Sequence, residues 1–316
     1  MPSFSIAICT HNRADPLEQA LSSICMAKPP TSSDFEVVVV LNKCIDESAA
    51  VVGHFENRLP VVLATEERLG LSHARNRAVE ICSGDFIVFV DDDVCVDPLF
   101  LVAYETAFRR FPEADIFSGP ILPDFEGEPP AWLKRALPVV GSAFALQRVE
   151  RDGAPIERSS VPYGCNYAIR STVQKKRSYD PELGRGDVAW LRSGEETVLL
   201  EAMLASGCTG RWVSGALLYH MIPPDRQTVE YLWRYYEGYG TLLGIQEAKG
   251  LLRPRSIVSA AVELASAEVT YRVARVAAPP DRWARALVRA AVRRGRWKGF
   301  RIANRESGKR SSHESR

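Results

Sequence analysis

The sequence has no long hydrophobic run. The longest stretches, 37–41 and 86–90, are far short of the ~18 apolar residues that a membrane-spanning helix needs. No basic stretch followed by an apolar core opens the chain, so nothing marks it for secretion. There is no C-x-x-C pair. The seven cysteines (9, 25, 44, 82, 95, 165 and 208) are odd in number and mostly lie in apolar runs. Free thiols acting as small hydrophobes, in a reducing cytoplasm, are therefore expected. No repeat is visible. No G-x-G-x-x-G follows the first strand, and no G-x-x-x-x-G-K-[ST] occurs anywhere. The partial match Gly184-Arg185-Gly186-Asp187-Val188-Ala189 has no strand before it. A dinucleotide dehydrogenase and a P-loop kinase both lose their main support.

What is present is an ordinary globular composition of 316 residues, 46% hydrophobic and 25% charged, which excludes wholesale disorder. The net charge of +1 conceals a division. Residues 251–316 hold sixteen Lys or Arg against five Asp or Glu, a surplus of +11, which leaves −10 for residues 1–250.

The first hundred residues alternate apolar strands (4–10, 35–41, 60–65, 85–90) with helices. One helix is capped by Asp15 with Pro16 at its first position and presents Leu17, Ala20, Leu21 and Ile24. A weaker one spans 46–57, and a third, capped by Ser72, spans 72–82. Such alternation requires a mostly parallel sheet covered on both faces, an α/β fold with ligands at the carboxyl ends of the strands. Residues 119–160, rich in proline and glycine, read as a long loop region with short elements, placed to cover a site. A strand at 165–170, a helix opening near Glu195 and a last strand near 211–220 follow. The domains expected are 1–224 (halves 1–118 and 119–224), a basic helical extension over 225–302 and a disordered tail over 303–316.

Five places can carry chemistry. Asp91-Asp92-Asp93 follows the apolar strand 86–90, and carboxylates crowded there need a cation or donors. Asp91 and Asp93 leave on one side and suit Mg²⁺ or Mn²⁺; a solvated turn capping the next helix explains the same residues. Arg75 and Asn76 sit on the 72–82 helix, where a basic residue helps an anion bind, or simply meets solvent. Thr10, Asn12, Arg13 and Asn42 lie at the ends of the first two strands, where a mononucleotide would rest. Glu195 and Glu196 open a helix, either as dipole-favoured acids or with one as a general base. His220 ends an apolar strand, as a structural residue or a ligand.

Taken in order, the segments FSIAICTHNR, VVVVLNKCIDES, GLSHARNRAVEICSGDFIVFVDDDV, YGCNYAIRS, YDPELGR, SGEETVLLEAMLASG and VSGALLYH resemble the inverting family 2 glycosyltransferases of the GT-A fold over about residues 4–220. The resemblance implies an α/β/α nucleotide-binding sandwich with a C-terminal helical extension. It implies transfer of a sugar, from UDP most readily, to an acceptor hydroxyl with inversion, in cell-surface polysaccharide, glycolipid or glycoconjugate synthesis. By the same resemblance Thr10, Asn12 and Arg13 line the nucleoside pocket, and Asn42 stands where the family often has an Asp on the uracil. Arg75 and Asn76 approach the base and diphosphate. Asp91 and Asp93 form the D-x-D motif: Asp91 toward the ribose or metal, Asp93 on a divalent cation (Mn²⁺ or Mg²⁺). Asp92 lies between them, and His220 matches a metal or diphosphate contact. Gly164, Cys165 and Asn166 border the sugar, and Glu196 is the base. Here Glu195-Glu196 replaces the usual E-D pair, so the choice between the two stays open.

The acceptor implied is a carbohydrate or lipid-linked sugar. The basic stretch 282–301, with Trp283, Leu287, Trp297 and Phe300, suits either peripheral contact with an anionic inner membrane face or packing on an acidic protein surface. Nucleic-acid binding is not expected. A nucleotidyltransferase and a catalytically silent nucleotide-sugar-binding or membrane-docking module are the alternative readings.

Overall fold

Apolar residues fill nearly every position of 4–10, 35–42 and 86–91, a pattern that suits strands buried on both faces. The structure, a computed structural model, describes residues 2–149, 151–183, 194–248 and 257–313, with side chains left undescribed at 257–260 and 304–313. It begins with β1 (Phe4–Thr10), α1 (Ala14–Met26), β2 (Phe35–Asn42), α2 (Ser48–Gly53), β3 (Val61–Glu66), α3 (Leu71–Ile81) and β4 (Phe86–Asp91). Then come β5 (Val94–Val96), α4 (Phe100–Arg110), β6 (Ile116–Ser118), β7 (Ile121–Phe125), α5 (Ala131–Val140), β8 (Asn166–Arg170), α6 (Ser171–Gln174), α7 (Glu195–Ala205), β9 (Gly210–Trp212) and β10 (Leu218–Ile222). Three helices close the chain: α8 (Val229–Ala248), α9 (Ile257–Ala277) and α10 (Pro280–His313).

Seven strands form one sheet in the order β3-β2-β1-β4-β8-β6-β9. The pairings β1–β2, β2–β3, β1–β4 and β6–β9 are parallel, and β8 alone runs antiparallel to both neighbours. This is the mostly parallel α/β sheet that strand–helix alternation requires. A second sheet, β5-β10-β7, lies beyond the carboxyl end of β4. Alternate residues of β1 divide the core. Phe4, Ile6 and Ile8 pack with Leu17, Leu21, Val52, Phe100 and Phe108 of α1, α2 and α4. Ala7 packs with Ala74 and Ala78 of α3 and Leu200 and Met203 of α7. Each large apolar side chain removed from water contributes about 1.5–3 kcal/mol.

Local capping differs from expectation. Asp15 lies within the first turn of α1, and the Ala14 N–H is taken instead by Asp46 Oδ2 at 3.0 Å. Asp46 also accepts from the Ser48 hydroxyl, so it starts the shorter α2. Ser72 does not cap α3; its hydroxyl donates to the Leu183 carbonyl at 2.7 Å. The stretch 119–160 is not one loop. It contains β7 and α5, whose Leu133, Ala136 and Val140 are buried and whose Pro138 is tolerated inside the helix.

Contacts divide the described residues into two compact units, one from 2–124, 145–183 and 194–221, the other from 125–144 and 222–313. The boundary expected at 224 is therefore corrected: 125–144 belongs with the C-terminal helices. In that second unit α8 and α10 meet through glycines. A methyl at Gly240 or Gly244 would collide with the Val292 or Arg296 carbonyl, and one at Gly295 or Gly299 with that of Glu237 or Thr241. Trp283 is buried against Trp132 of α5, ring centroids 5.3 Å apart. The polar end expected to be disordered continues as helix through His313.

Candidate active site

All the candidate catalytic, nucleotide and metal residues expected from the sequence lie in the first unit. Asp91 ends β4, Asp92 and Asp93 form the turn, and Val94 starts β5. Arg13, placed by the end of β1, answers this crowded charge. Its guanidinium donates to Asp92 Oδ1 at 2.6 Å and to Asp93 Oδ2 at 2.8 Å. Burial pushes the Asp92 carboxyl up to about 7; Arg13 opposes the shift and Asp93 reinforces it. Thr10, buried at the end of β1, lies beside Asp92. Antiparallel pairing sets His220 of β10 opposite Val94, and the Met221 N–H donates to the Asp93 carbonyl at 2.9 Å. His220 Nε2 thereby comes 3.4 Å from Asp93 Oδ2.

A second cluster is joined to the first through Asp91. Arg75 of α3 is buried, with Nη1 2.6 Å from Glu195 Oε1 and 3.7 Å from Glu196 Oε2. Its Nη2 lies 3.4 Å from Asp91 Oδ1 and donates to the Gly164 carbonyl at 3.1 Å. The Tyr167 and Tyr179 rings, joined by a 2.6 Å hydroxyl bond, lie 5.9 and 5.7 Å from the guanidinium. A buried cation with several acceptors is held far more rigidly than one in solvent. The two acids are unequal: the Glu195 side chain is 3% exposed and Glu196 13%. Burial, then Glu195, pushes the Glu196 carboxyl up to about 7, with Arg75 opposing. Residue 164 packs tightly on both side chains: a Cβ there would lie 2.8 Å from Arg75 Nη2 and 3.2 Å from Glu196 Cδ, so either must shift to admit one.

Other predicted contacts are already occupied. The Asn42 amide donates to the Glu66 and Arg68 carbonyls (3.1 and 2.8 Å), and its oxygen accepts from the Gly70 N–H at 2.8 Å. Asn42 thus fixes the loop before α3 rather than offering its amide to a base. Asn76 is used likewise, holding the Tyr179 backbone at both ends of its amide (2.9 and 2.8 Å). Asn12, at φ 51°, accepts from the Ile45 N–H at 2.8 Å and so holds the β2–α2 loop. Asn166 is fully buried, accepting from the Tyr104 hydroxyl and donating to the Pro120 and Ala216 carbonyls, and so locks β8. Reading the sequence assigned no role to Tyr167 or Tyr179, and the Gly164 carbonyl had no signal beyond its motif.

Among the described residues, no three carboxylate, thiol or imidazole groups converge to hold a cation alone. Asp93 and His220 do present an oxygen and a nitrogen 3.4 Å apart, beside the half-exposed Asp91. That donor set suits Mn²⁺ or Mg²⁺, with diphosphate oxygens completing the shell. Arg13 is bound to the same Asp93 oxygen.

A parallel sheet with charged clusters at its carboxyl ends, plus C-terminal helices, defines the nucleotide-binding GT-A class. The model of the family described as Glycosyl transferase family 2 matches residues 5–170, and the chain belongs to that family. It is 23% identical over 208 residues to the glucosyl-dolichyl phosphate glucuronosyltransferase of Haloferax volcanii, 64% of each chain, so the match spans slightly less than two thirds of that relative. It is 25% identical to the succinoglycan biosynthesis protein ExoM of Rhizobium meliloti over 81% of this chain and 79% of that one. A mannosyltransferase from Pyrobaculum calidifontis, solved with GDP-Man and Mn²⁺, shares the fold at a TM-score of 0.53 and 15% identity, over 97% of this chain and 75% of that one.

Proposed function

We propose that the chain transfers a sugar from a nucleoside diphosphate donor, UDP by the sequence resemblance, to an acceptor hydroxyl by one displacement with inversion. Glu196 acts as the base. The observation that carries this reading is the unequal pairing around Arg75. Glu195 is neutralised at 2.6 Å, while Glu196 stays 3.7 Å away, more exposed and with its carboxyl raised to about 7. A base works best when its pKa lies near the working pH. Glu195 is then the positioning residue that anchors Arg75, and this division favours Glu196 of the two acids that sequence alone left open. Arg75, shared with Asp91, sits where it can stabilise charge developing on a leaving diphosphate. A divalent cation, when bound at Asp93 and His220, supplies further charge neutralisation to the leaving group. Polysaccharide or lipid-linked sugars are the acceptor class, in keeping with the printed names of the relatives.

The test is donor hydrolysis and transfer with UDP- and GDP-sugars and Mn²⁺, in wild type, Glu196→Gln and Asp93→Ala. A loss of 10²–10⁴-fold in Glu196→Gln with unchanged nucleotide affinity is expected. Equal turnover of wild type and Asp93→Ala would refute the cation's role, and pyrophosphate release would identify a nucleotidyltransferase.

A further inference from the structure

Of the apolar side chains of the basic stretch 282–301, Trp297 and Phe300 are partly buried. Trp283 and Leu287 of α10 are buried within the second unit. The unexpected surface is on α9. Ala267 faces inward, and Glu263 and Glu268 turn to Arg293 and Arg294 of α10. The opposite face carries Val262, Val269, Val273 and Val276, which are 61–90% exposed. These positions repeat at seven, four and three residues, so they form one stripe of about 20 Å along the helix. Only Arg272 interrupts it with charge. A surface helix normally has one apolar face; α9 has two, and one has no partner among the described residues.

The surroundings decide the occupant. Residues 257–303 hold ten Lys or Arg against three Asp or Glu. Both glutamates of α9 are already paired inward, and Arg272, Arg282, Arg285 and Arg289 have no ion pair among the described residues. An apolar stripe in a positive field matches a surface that supplies acyl chains and anionic headgroups together. A second copy of the same face would set like charges against each other. We propose that the outward valine face of α9, aided by the net positive charge of the segment 257–303 that carries it, seats the chain peripherally on an anionic lipid bilayer. No described helix is long and apolar enough to cross one, so the contact is superficial. The inference does not rest on the catalytic reading, and transfer to a water-soluble acceptor is unchanged by loss of the stripe.

The test is co-sedimentation of the full chain with vesicles of phosphatidylglycerol and phosphatidylcholine, against phosphatidylcholine alone. Binding to the mixed vesicles is expected, weakening as salt rises. It should fall about tenfold in Val269→Asp and Val273→Asp, and about fivefold for each Arg→Glu among Arg282, Arg285 and Arg289. Val276→Ser, at the most exposed position, is a milder variant that keeps the test open if an aspartate variant melts early. Equal binding to neutral vesicles, no binding at all, or binding indifferent to the valine substitutions overturns the proposal. So does a concentration-dependent dimer, dispersed by Val269→Asp, in a chain that leaves vesicles untouched; that outcome assigns the face to a second copy.

Discussion

Arg75 is a buried cation facing three carboxylates, and its geometry decides what each of them can do. Replacing Glu195 by Gln takes the 2.6 Å carboxylate from Arg75 while Asp91 and Glu196 remain, and a cost of about 1–3 kcal/mol follows from the weakened charged hydrogen bond. Thermal melting of that variant measures it. Glu196→Gln should melt near wild type while losing transfer. The pH profile separates the two roles. Glu196 must be unprotonated to act, and burial raises its carboxyl to about 7, so kcat/KM should climb through about pH 7 and level off above it. A flat profile from pH 5 to 8 removes Glu196 as the base. Glu105 behaves oppositely. Burial alone would raise it, but Thr31 and Ser32 donate through backbone N–H and hydroxyl groups at 2.8–3.1 Å and lower it to about 2. Its folded value lies below the unfolded ~4.3, so its contribution is complete above that pH and fades as pH falls toward 2. Glu105→Gln should cost about 2–3 kcal/mol at neutral pH, read by urea unfolding, and flatten the acid limb.

At the scale of elements, single side chains decide where helices begin and how closely they meet. Asp46 takes the capping role expected of Asp15 for α1, because the β2–α2 loop folds over the start of α1. Gly164 is the narrow point of the site. Gly164→Ala should displace Arg75 or Glu196 by a few tenths of an ångström and lower kcat more than it raises KM, which steady-state kinetics would show. The α8–α10 seam depends on backbones in contact. Gly295→Ala inserts a methyl against the Glu237 carbonyl and should lower the melting temperature although alanine is the better helix former. An unchanged or higher melting temperature would mean that the helices separate there freely.

At the scale of the molecule, the charge division visible in the composition has a local resolution. Arg293, Arg294 and Arg296 of α10 are answered by Glu237, Glu247, Glu263 and Glu268 of α8 and α9, within the second unit. The first unit is where a nucleotide should register. A nucleoside diphosphate with Mn²⁺ at a hundred times its dissociation constant stabilises the native state by about 2.7 kcal/mol. That is a rise of roughly 5–10 °C in the melting temperature of a unit this size. In Asp93→Ala the manganese-dependent part of the rise should vanish.

Several features were legible from the chain alone. Apolar runs at 4–10, 35–41 and 86–90 allow little but buried parallel strands, and the ordered motifs led to the family that the match over 5–170 bears out. Strand–helix alternation is a local periodicity, so burial patterns record it directly. Other features depend on which distant segments meet. The strand β5 has too few residues for a pattern, the single strand expected near 211–220 is divided into β9 and β10, and α5 was hidden by its prolines. That Asn42 and Asn76 hold backbone, that Arg75 selects Glu195 over Glu196, and that α9 rather than α10 keeps a bare apolar face all follow from contacts across more than twenty residues of chain. Sequence periodicity reports how much of a face is apolar; only packing decides which apolar face is covered and which polar group still has an unused hydrogen bond.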